Sequence, residues 1–462
     1  MPNEATFPVA SPSSATRPPV SAVPRLLPRA PDGKPGRAPQ DLAAHQATHG
    51  RLPYRGGAGR LIAELQAAGL TGRGGAAFPA HRKLQAVFAA ARTTGRQPVV
   101  VANGAESEPA SDKDASLLWL APHLVLDGLQ LAAEAVGASR AVLYAHAAGQ
   151  GRNRGPLDSL RDALARRGAA RLDRVPVQLV QAPPRFLAGQ ETALISHLNG
   201  GPAIPAFIPP RPADRGLGNA PTLISNVETL AHMALVARHG PDWFRAVGTP
   251  QEPGSMLCTV RRGDGSPRII EVAIGTPLPA LLGPVGGQPQ GHHEQGSQGA
   301  VLIGGYHGSW VPASLAATLT LDNASLAGAD ARVGAGIVIT LPPGRCGLIE
   351  TAEVVRYLAL ESAGQCGPCL NGLPRIAAGL AQIAGGRPRP GVRADVERWA
   401  GLVTGRGACH HPDGTARLVR SALVVFAAEA DLHERGRCSA PRHAAPFLPV
   451  PQATARAEAD WR

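Results

Sequence analysis

From Gly59 onward the apolar positions Leu61, Ile62, Leu65 and Ala68 recur at helical spacing and stop at Gly69. This pattern predicts a helix that delivers the chain into the segment 71–79. The apolar run 98–102 predicts a buried strand, followed by a polar loop to Asp114. A second helix is predicted from Pro122, a residue suited to a first helical turn, to Val136, with Gly137 as its cap. Further strands are predicted at 141–144 and 175–180. Strands alternating with helices predict an α/β fold with a largely parallel, Rossmann-like sheet over residues 51–247.

Beyond residue 250 the pattern changes to short alternating segments, 256–260, 268–273 and 300–303, separated by Gly-rich turns. A small β-rich domain over 250–325 is expected. Helical periodicity returns with Val354, Val355, Leu358 and Leu360, and again with Leu418, Leu423, Val424, Val425 and Phe426, predicting a helical domain over 345–435. Residues 1–50, rich in Pro, Ser, Ala and Arg without a hydrophobic period, read as a disordered tail. The Gly-, Gln- and His-rich stretch 286–299 reads as a mobile loop, and 440–462 as a Pro-rich tail.

Composition sharpens this picture. Among 462 residues there are 55 Gly and 45 Pro but only 4% aromatic residues, which implies many turns and close backbone approaches rather than one helical body. No run of 18 apolar residues exists and the N-terminus lacks the apolar core of a secretory signal, so a cytoplasmic location is expected, with any membrane contact made through partners. The net charge of +12 is concentrated: residues 51–100 carry eight Lys and Arg against the single acid Glu64, around one Gly-rich loop. That distribution suits a phosphate-bearing ligand. Without an aromatic stacking platform or a reading motif, nucleic acid is not expected.

The Gly-rich loop is Gly72-Arg73-Gly74-Gly75-Ala76-Ala77-Phe78-Pro79, followed by Lys83. It joins a permissive turn to a helix start, so its backbone N–H groups are available to a phosphate. It is not a dinucleotide fingerprint, because a helix precedes it and the glycine spacing differs. The chain has only three lysines, Lys34, Lys83 and Lys113, amid abundant arginine. A retained compact ammonium suggests a single-phosphate or buried contact. Asn103-Gly104-Ala105-Glu106-Ser107-Glu108-Pro109 follows a predicted strand, where open α/β sheets bind ligands. Gly189-Gln190-Glu191-Thr192 and Asn226-Val227-Glu228-Thr229 precede apolar helical runs, and each taken singly reads equally as a helix N-terminus.

Six irregularly spaced cysteines do not make a disulfide framework. Cys366-Gly367-Pro368-Cys369 with Cys409 instead offers three soft thiolates for a metal centre. The thioredoxin motif has the same four residues but needs a preceding strand, and here the preceding pattern is helical. An iron–sulfur cluster, a zinc site completed by a histidine, and an empty site all remain open at this point.

Together and in this order, these segments resemble the flavin-binding NADH-dehydrogenase subunit of respiratory complex I and related flavoprotein subunits of NAD-linked hydrogenases and formate dehydrogenases, over residues 55–433. The resemblance implies FMN held by Gly72, Arg73, Gly74, Gly75, Lys83, Asn103, Gly189, Asn226 and Thr229, with Phe78 stacking on the adenine of NADH. It places Glu106, Glu108 and Glu191 as the working acids and implies a [4Fe–4S] cluster on Cys366, Cys369 and Cys409. It also implies that the middle region is a ubiquitin-like β-grasp domain and that the electrons leave to a ferredoxin-like or respiratory-type subunit. Several positions depart from the family pattern: Ala77 for Gly, Ala105 for an acid, Gln190 for Glu, Ile208 for Lys, Arg211 for Phe, and Ala363 for the first cluster cysteine. Cys438, His410, His411, Ser362 or water are the candidates for the missing fourth ligand, while Cys346 lies a helix length away. The departures keep a second reading open, a non-catalytic scaffold of the same fold.

Overall fold

The computed structural model describes residues 25–28, 36, 38–147, 155–263, 265–283, 299–441, 445–451 and 461. Its first part begins with α1 (Leu42–His49), α2 (Ala58–Ala68) and α3 (Ala80–Thr94), then β1 (Val99–Gly104), α4 (Lys113–Leu120) and α5 (Pro122–Val136). It continues with β2 (Arg140–Ala145), α6 (Pro156–Ala169), β3 (Val177–Gln181), α7 (Glu191–Leu198), β4 (Thr222–Asn226) and α8 (Val227–Arg245). The four strands form one sheet in the order β3-β2-β1-β4, parallel throughout. Helices cover both faces, which is why β1 reads as an unbroken apolar run and not as an alternation.

Two predicted helices end where their glycines place them: Gly69 and Gly137 adopt left-handed conformations and donate back to carbonyls of the last turn. α8 is packed between α2 and α5 and buried along most of its length, so the helices and the sheet share one core.

The second part is a five-stranded sheet of β5 (Ser255–Arg261), β6 (Pro267–Ala273), β7 (Ala300–Ile303), β8 (Ser309–Pro312) and β9 (Ile337–Thr340), in the order β6-β5-β9-β7-β8. Only β5 and β9 pair in parallel. Short helices α9 (Leu278–Leu282), α10 (Ala313–Ala316) and α11 (Asn323–Ala327) close it. The sheet needs β9 at its centre, so this unit runs beyond the expected end at 325. The third part is helical: α12 (Gly347–Leu360), α13 (Leu373–Gly385), α14 (Val392–Val403), α15 (His411–Val425) and α16 (Ala427–Glu434).

The expectation of disorder up to residue 50 fails for 42–49. Asp41 caps α1 through Ala44 N–H, and His45 is buried against Asp127, a contact that no local pattern announces. The expected Pro-rich tail is likewise held at two places. Phe447 N–H and Leu448 N–H donate to Glu350, and Trp461 is buried under the Arg185 guanidinium. The stretch expected to be a mobile loop lies, except for Gly299, outside the described residues. Among the described residues no single helix is long and apolar enough to cross a membrane.

Candidate functional site

The parallel register sets Asn103 of β1 directly beside Asn226 of β4, both at the carboxyl edge of the sheet. Asn226 caps α8 by accepting from Glu228 N–H at 2.9 Å and donates to Asp114 at 2.7 Å. Asn103 donates to the Gly189 carbonyl at 2.8 Å. The 72–79 loop folds over this edge, closed by Gly72 N–H on the Phe78 carbonyl and by Arg73 N–H on the Thr229 hydroxyl at 2.8 Å. Glycine is required at one of these approaches and favoured at another. A Cβ on Gly189 would stand 2.6 Å from the Ala105 carbonyl oxygen, and one on Gly74 would stand 3.3 Å from Asn226 Cβ.

These segments enclose two cavities that share Gly74, Ala76, Asn103, Gly189, Gln190 and Asn226 in their walls. The smaller, of about 260 Å³, lies at the glycine-loop side and reaches Phe78, Lys83, Glu191 and Thr229. The larger, of about 440 Å³, is lined also by Glu106 and Glu108 and by Cys409, His410 and His411. The flavin-type residues and one cluster-type cysteine therefore line one continuous space. Gly304, Gly334 and Arg332 complete its wall from the second part of the chain, and Arg417 from the third.

The acids divide sharply in what they do. Both oxygens of Glu106 are committed: it accepts from Ser111 Oγ at 2.5 Å, Asp114 N–H at 3.1 Å and Ala115 N–H at 2.9 Å, which caps α4. Burial, and next the neighbouring Asp114 carboxylate, push Glu106 upward against Lys113. Glu108 differs, because only Oε2 is engaged, accepting from Tyr306 N–H at 3.1 Å, while Oε1 is buried without a hydrogen-bond partner. Burial pushes its carboxyl up to about 8. Glu191 forms an ion pair with Lys83 at the cavity mouth.

Lys113, fully buried, contacts Asp114 at 2.7 Å and Glu228 at 2.9 Å. Burial alone would depress the lysine, but these carboxylates outweigh it and hold the ammonium protonated. Glu228 also accepts from Leu257 N–H of β5, so this buried ion pair ties the two sheets together beneath the cavity.

Arg73, expected at the cofactor, turns back instead: its guanidinium binds Thr71 Oγ1 at 2.8 Å and the Pro253 carbonyl. Arg55 and Arg60 are engaged by Glu64. The basic cluster read from residues 51–100 is thus partly neutralised. Phe78 is 42% exposed and Phe207 64% exposed. Ala206 N–H donates to the Thr192 hydroxyl at 2.8 Å, which ties the backbone just before Phe207 to the first turn of α7.

In the third part, burial, and next the neighbouring Cys366 and Cys409 thiols, push the Cys369 thiol up to about 12, so the three sulfurs are close enough to act on one another. A one-turn π-helix, Pro368–Gly372, carries Cys369 inward.

With this geometry in place, comparison with known proteins is decisive. Residues 65–235 match the family described as "Nuo51 FMN-binding domain", and residues 350–433 match the "NADH-ubiquinone oxidoreductase-F iron-sulfur binding region". The F-type subunit of NADH-quinone oxidoreductase from Rickettsia bellii is 30% identical over 319 residues, 68% of this chain and 75% of that protein. The chain belongs to this NADH-quinone oxidoreductase family. The corresponding protein from Streptomyces coelicolor is 28% identical over 394 residues, covering 82% of this chain and 83% of that protein. In structure, the chain resembles one from an NAD+-reducing [NiFe]-hydrogenase in the H2-reduced state, with a TM-score of 0.71 and 26% identity over 87% of this chain. It spans 65% of that hydrogenase chain.

The residues present fit the family's two groups. For FMN there is a polar-rimmed cavity at the sheet edge with glycine loops, two helix N-termini, and a buried oxygen of Glu108 that lacks a partner. For a [4Fe–4S] cluster there are three converging thiols, with Ala363 at the position of the family's further cysteine. The fourth-ligand candidates sort themselves. Cys438 lies with Cys346 in a separate group. His411 is spent on the Leu358 carbonyl at 2.8 Å and on His307 at 3.1 Å, and His410 pairs with Asp413 with its side chain fully exposed. Of the named side chains, Ser362, whose hydroxyl donates to the Leu358 carbonyl at 3.5 Å, is the one near enough to act on the Cys369 thiol.

Arg332, Arg417 and Tyr306 escaped sequence reasoning because they reach the site from other domains. Glu108 was readable from its motif, although its orphaned oxygen was not.

Proposed function

We propose that this chain is the NADH-oxidising member of a larger assembly, acting in the cytoplasm, binding FMN at the glycine-loop cavity and passing electrons through a three-thiolate iron–sulfur site to a ferredoxin-like or respiratory-type subunit. When bound, FMN supplies the conversion between a two-electron hydride donor and single-electron delivery. The observation that carries this reading is the one cavity whose wall contains Asn103, Asn226, Glu108 and Cys409.

The chain's own residues have three tasks. The glycine loop and Asn103 offer donors to phosphate and ring, the dipole ends of α7 and α8 favour the anion although their Thr192, Ala193 and Glu228 N–H groups are taken by Gln190 and Asn226, and Lys83 anchors the phosphate once released from Glu191. Glu108, held protonated near neutral pH, orients the nicotinamide donor by hydrogen bonding from its free oxygen. Ser362, next to Ala363 and near the Cys369 thiol, would be the side chain available to complete the iron site that lacks a fourth thiolate. The scaffold alternative loses ground because a non-binding chain has no use for an orphaned buried carboxylate oxygen in a cavity that a free thiol also lines.

Lys83→Ala is expected to retain at least tenfold less FMN after dialysis than Arg82→Ala, whose side chain is exposed and away from both cavities. Equal retention would overturn the phosphate role of Lys83.

A further inference from the structure

At the far end of α12 from the three thiols lies a second cluster that the electron-transfer reading does not use. Cys346 is the N-cap residue of α12, Glu429 and His433 sit one turn apart on α16, and Cys438 follows that helix. Their ligand atoms all lie within 4.8 Å of one another. The 14 residues of α12 separate this group from the other cysteines by about 21 Å, too far to share a metal centre. We propose that Cys346, Glu429, His433 and Cys438 bind a structural zinc ion that staples α16 and the chain after it to the start of α12.

The imidazole carries the argument. His433 Nδ1 lies 2.8 Å from the Ile383 carbonyl, and a carbonyl only accepts, so Nδ1 bears the proton. In the neutral ring Nε2 is then a bare lone pair, yet it faces Glu429 Oε1 at 3.2 Å, another acceptor, inside a site where His433 is 1% and Glu429 7% exposed. Without a metal, the proton that Nε2 needs comes from the Cys346 thiol, 3.6 Å away, or from a second proton on the ring; one cation at this point satisfies Nε2, Glu429 Oε1 and both sulfurs together. A carbonyl bonded to the outer nitrogen is also how metal-bound histidines are oriented.

The spacing fits a tetrahedral ion. With Zn–S of about 2.3 Å and Zn–N or Zn–O of about 2.0 Å, a tetrahedron has an S···N edge of about 3.5 Å and an N···O edge of about 3.3 Å. Here Cys346 Sγ is 3.6 Å from His433 Nε2, and Nε2 is 3.2 Å from Glu429 Oε1. Mixed sulfur, nitrogen and oxygen donors suit zinc better than the hard oxygen-seeking cations. Glu429 is held in place by Ser439 N–H at 2.9 Å, and neither cysteine is in a disulfide. The site is independent of the flavin reading, since it shares no residue with the cavity.

The test is metal analysis of the full chain purified without chelator, with zinc K-edge absorption on the same sample. The expected result is about one zinc per chain in a shell of two sulfurs at about 2.3 Å and two lighter atoms at about 2.0 Å. His433→Gln and Cys438→Ser should each lower zinc at least tenfold with flavin unchanged, whereas Cys366→Ser should lower iron and leave zinc. If a variant fails to fold, the wild type still decides: a strong chelator should lower its melting temperature, and zinc but not magnesium should restore it. Wild type free of zinc after dialysis against the metal, zinc retained in both ligand variants, or a Cys346–Cys438 disulfide in the mass spectrum would overturn the proposal.

Discussion

Ala77 shows what a single departure from the family pattern costs. It occupies a glycine position of the flavin loop and has φ of 50°, in the left-handed region where a Cβ crowds the following carbonyl. Ala77→Gly is expected to stabilise the protein by up to about 1 kcal/mol, the relief of strain exceeding glycine's extra unfolded-state entropy, as read from denaturant midpoints. Glu108 gives a pH signature. Its carboxyl titrates near the ordinary 4.5 when unfolded but at about 8 when folded, so between those values the folded chain holds a proton that the unfolded chain has released. Stability therefore falls as pH rises through that window. Glu108→Gln is expected to flatten the slope of stability against pH from about 5 to 8, as measured by chemical denaturation at each pH. Part of the slope should persist, because burial also pushes Glu271 up to about 7. An unchanged slope would show that Glu108 is ionised in the fold. The motif places Glu108 in the sequence, but its titration depends on Tyr306 and Gly305, which close over it from nearly two hundred residues later.

Among elements, the helices and strands with a local signal were legible: α2 and α5 end on their glycines, β1 announces itself as an apolar run, β2 as a short strand pattern, and β5 and β7 as short alternating segments. α1 was not legible, because its stability is borrowed. Its buried His45 meets Asp127 of α5 at 2.8 Å, and the same carboxylate accepts from Arg167 of α6 at 2.8 Å and from Arg238 of α8. Burial opposes the charge on Asp127, but these three partners outweigh it and hold the carboxyl well below the usual range. Stability from this group is present above pH of about 4 and is lost as pH falls toward the depressed value. Asp127→Ala is expected to cost about 3 kcal/mol at neutral pH, since it removes the carboxylate that Arg238 and His45 share while Arg167 keeps Asp173, and to remove that acid-side dependence. A loss below about 1 kcal/mol would mean that the four helices are held by apolar packing alone.

For the whole molecule, the sequence carried the order of the parts but not their convergence. The cavity is built where the parallel sheet edge meets the Gly304 and Gly334 turns and the start of α15, and no motif encodes that meeting. The buried Lys113–Glu228 pair, which fixes β5 against α8, joins residues more than a hundred positions apart. Convergence is what turns separate motifs into a conductor, and it is open to one direct measurement. The full chain, reconstituted anaerobically with FMN, iron and sulfide, is titrated with NADH while flavin and cluster absorbance are followed. The account predicts bleaching of both and uptake of about three electrons per flavin, two by the flavin and one by the cluster. Saturation at about two electrons per flavin, or no bleaching of the flavin, would contradict it.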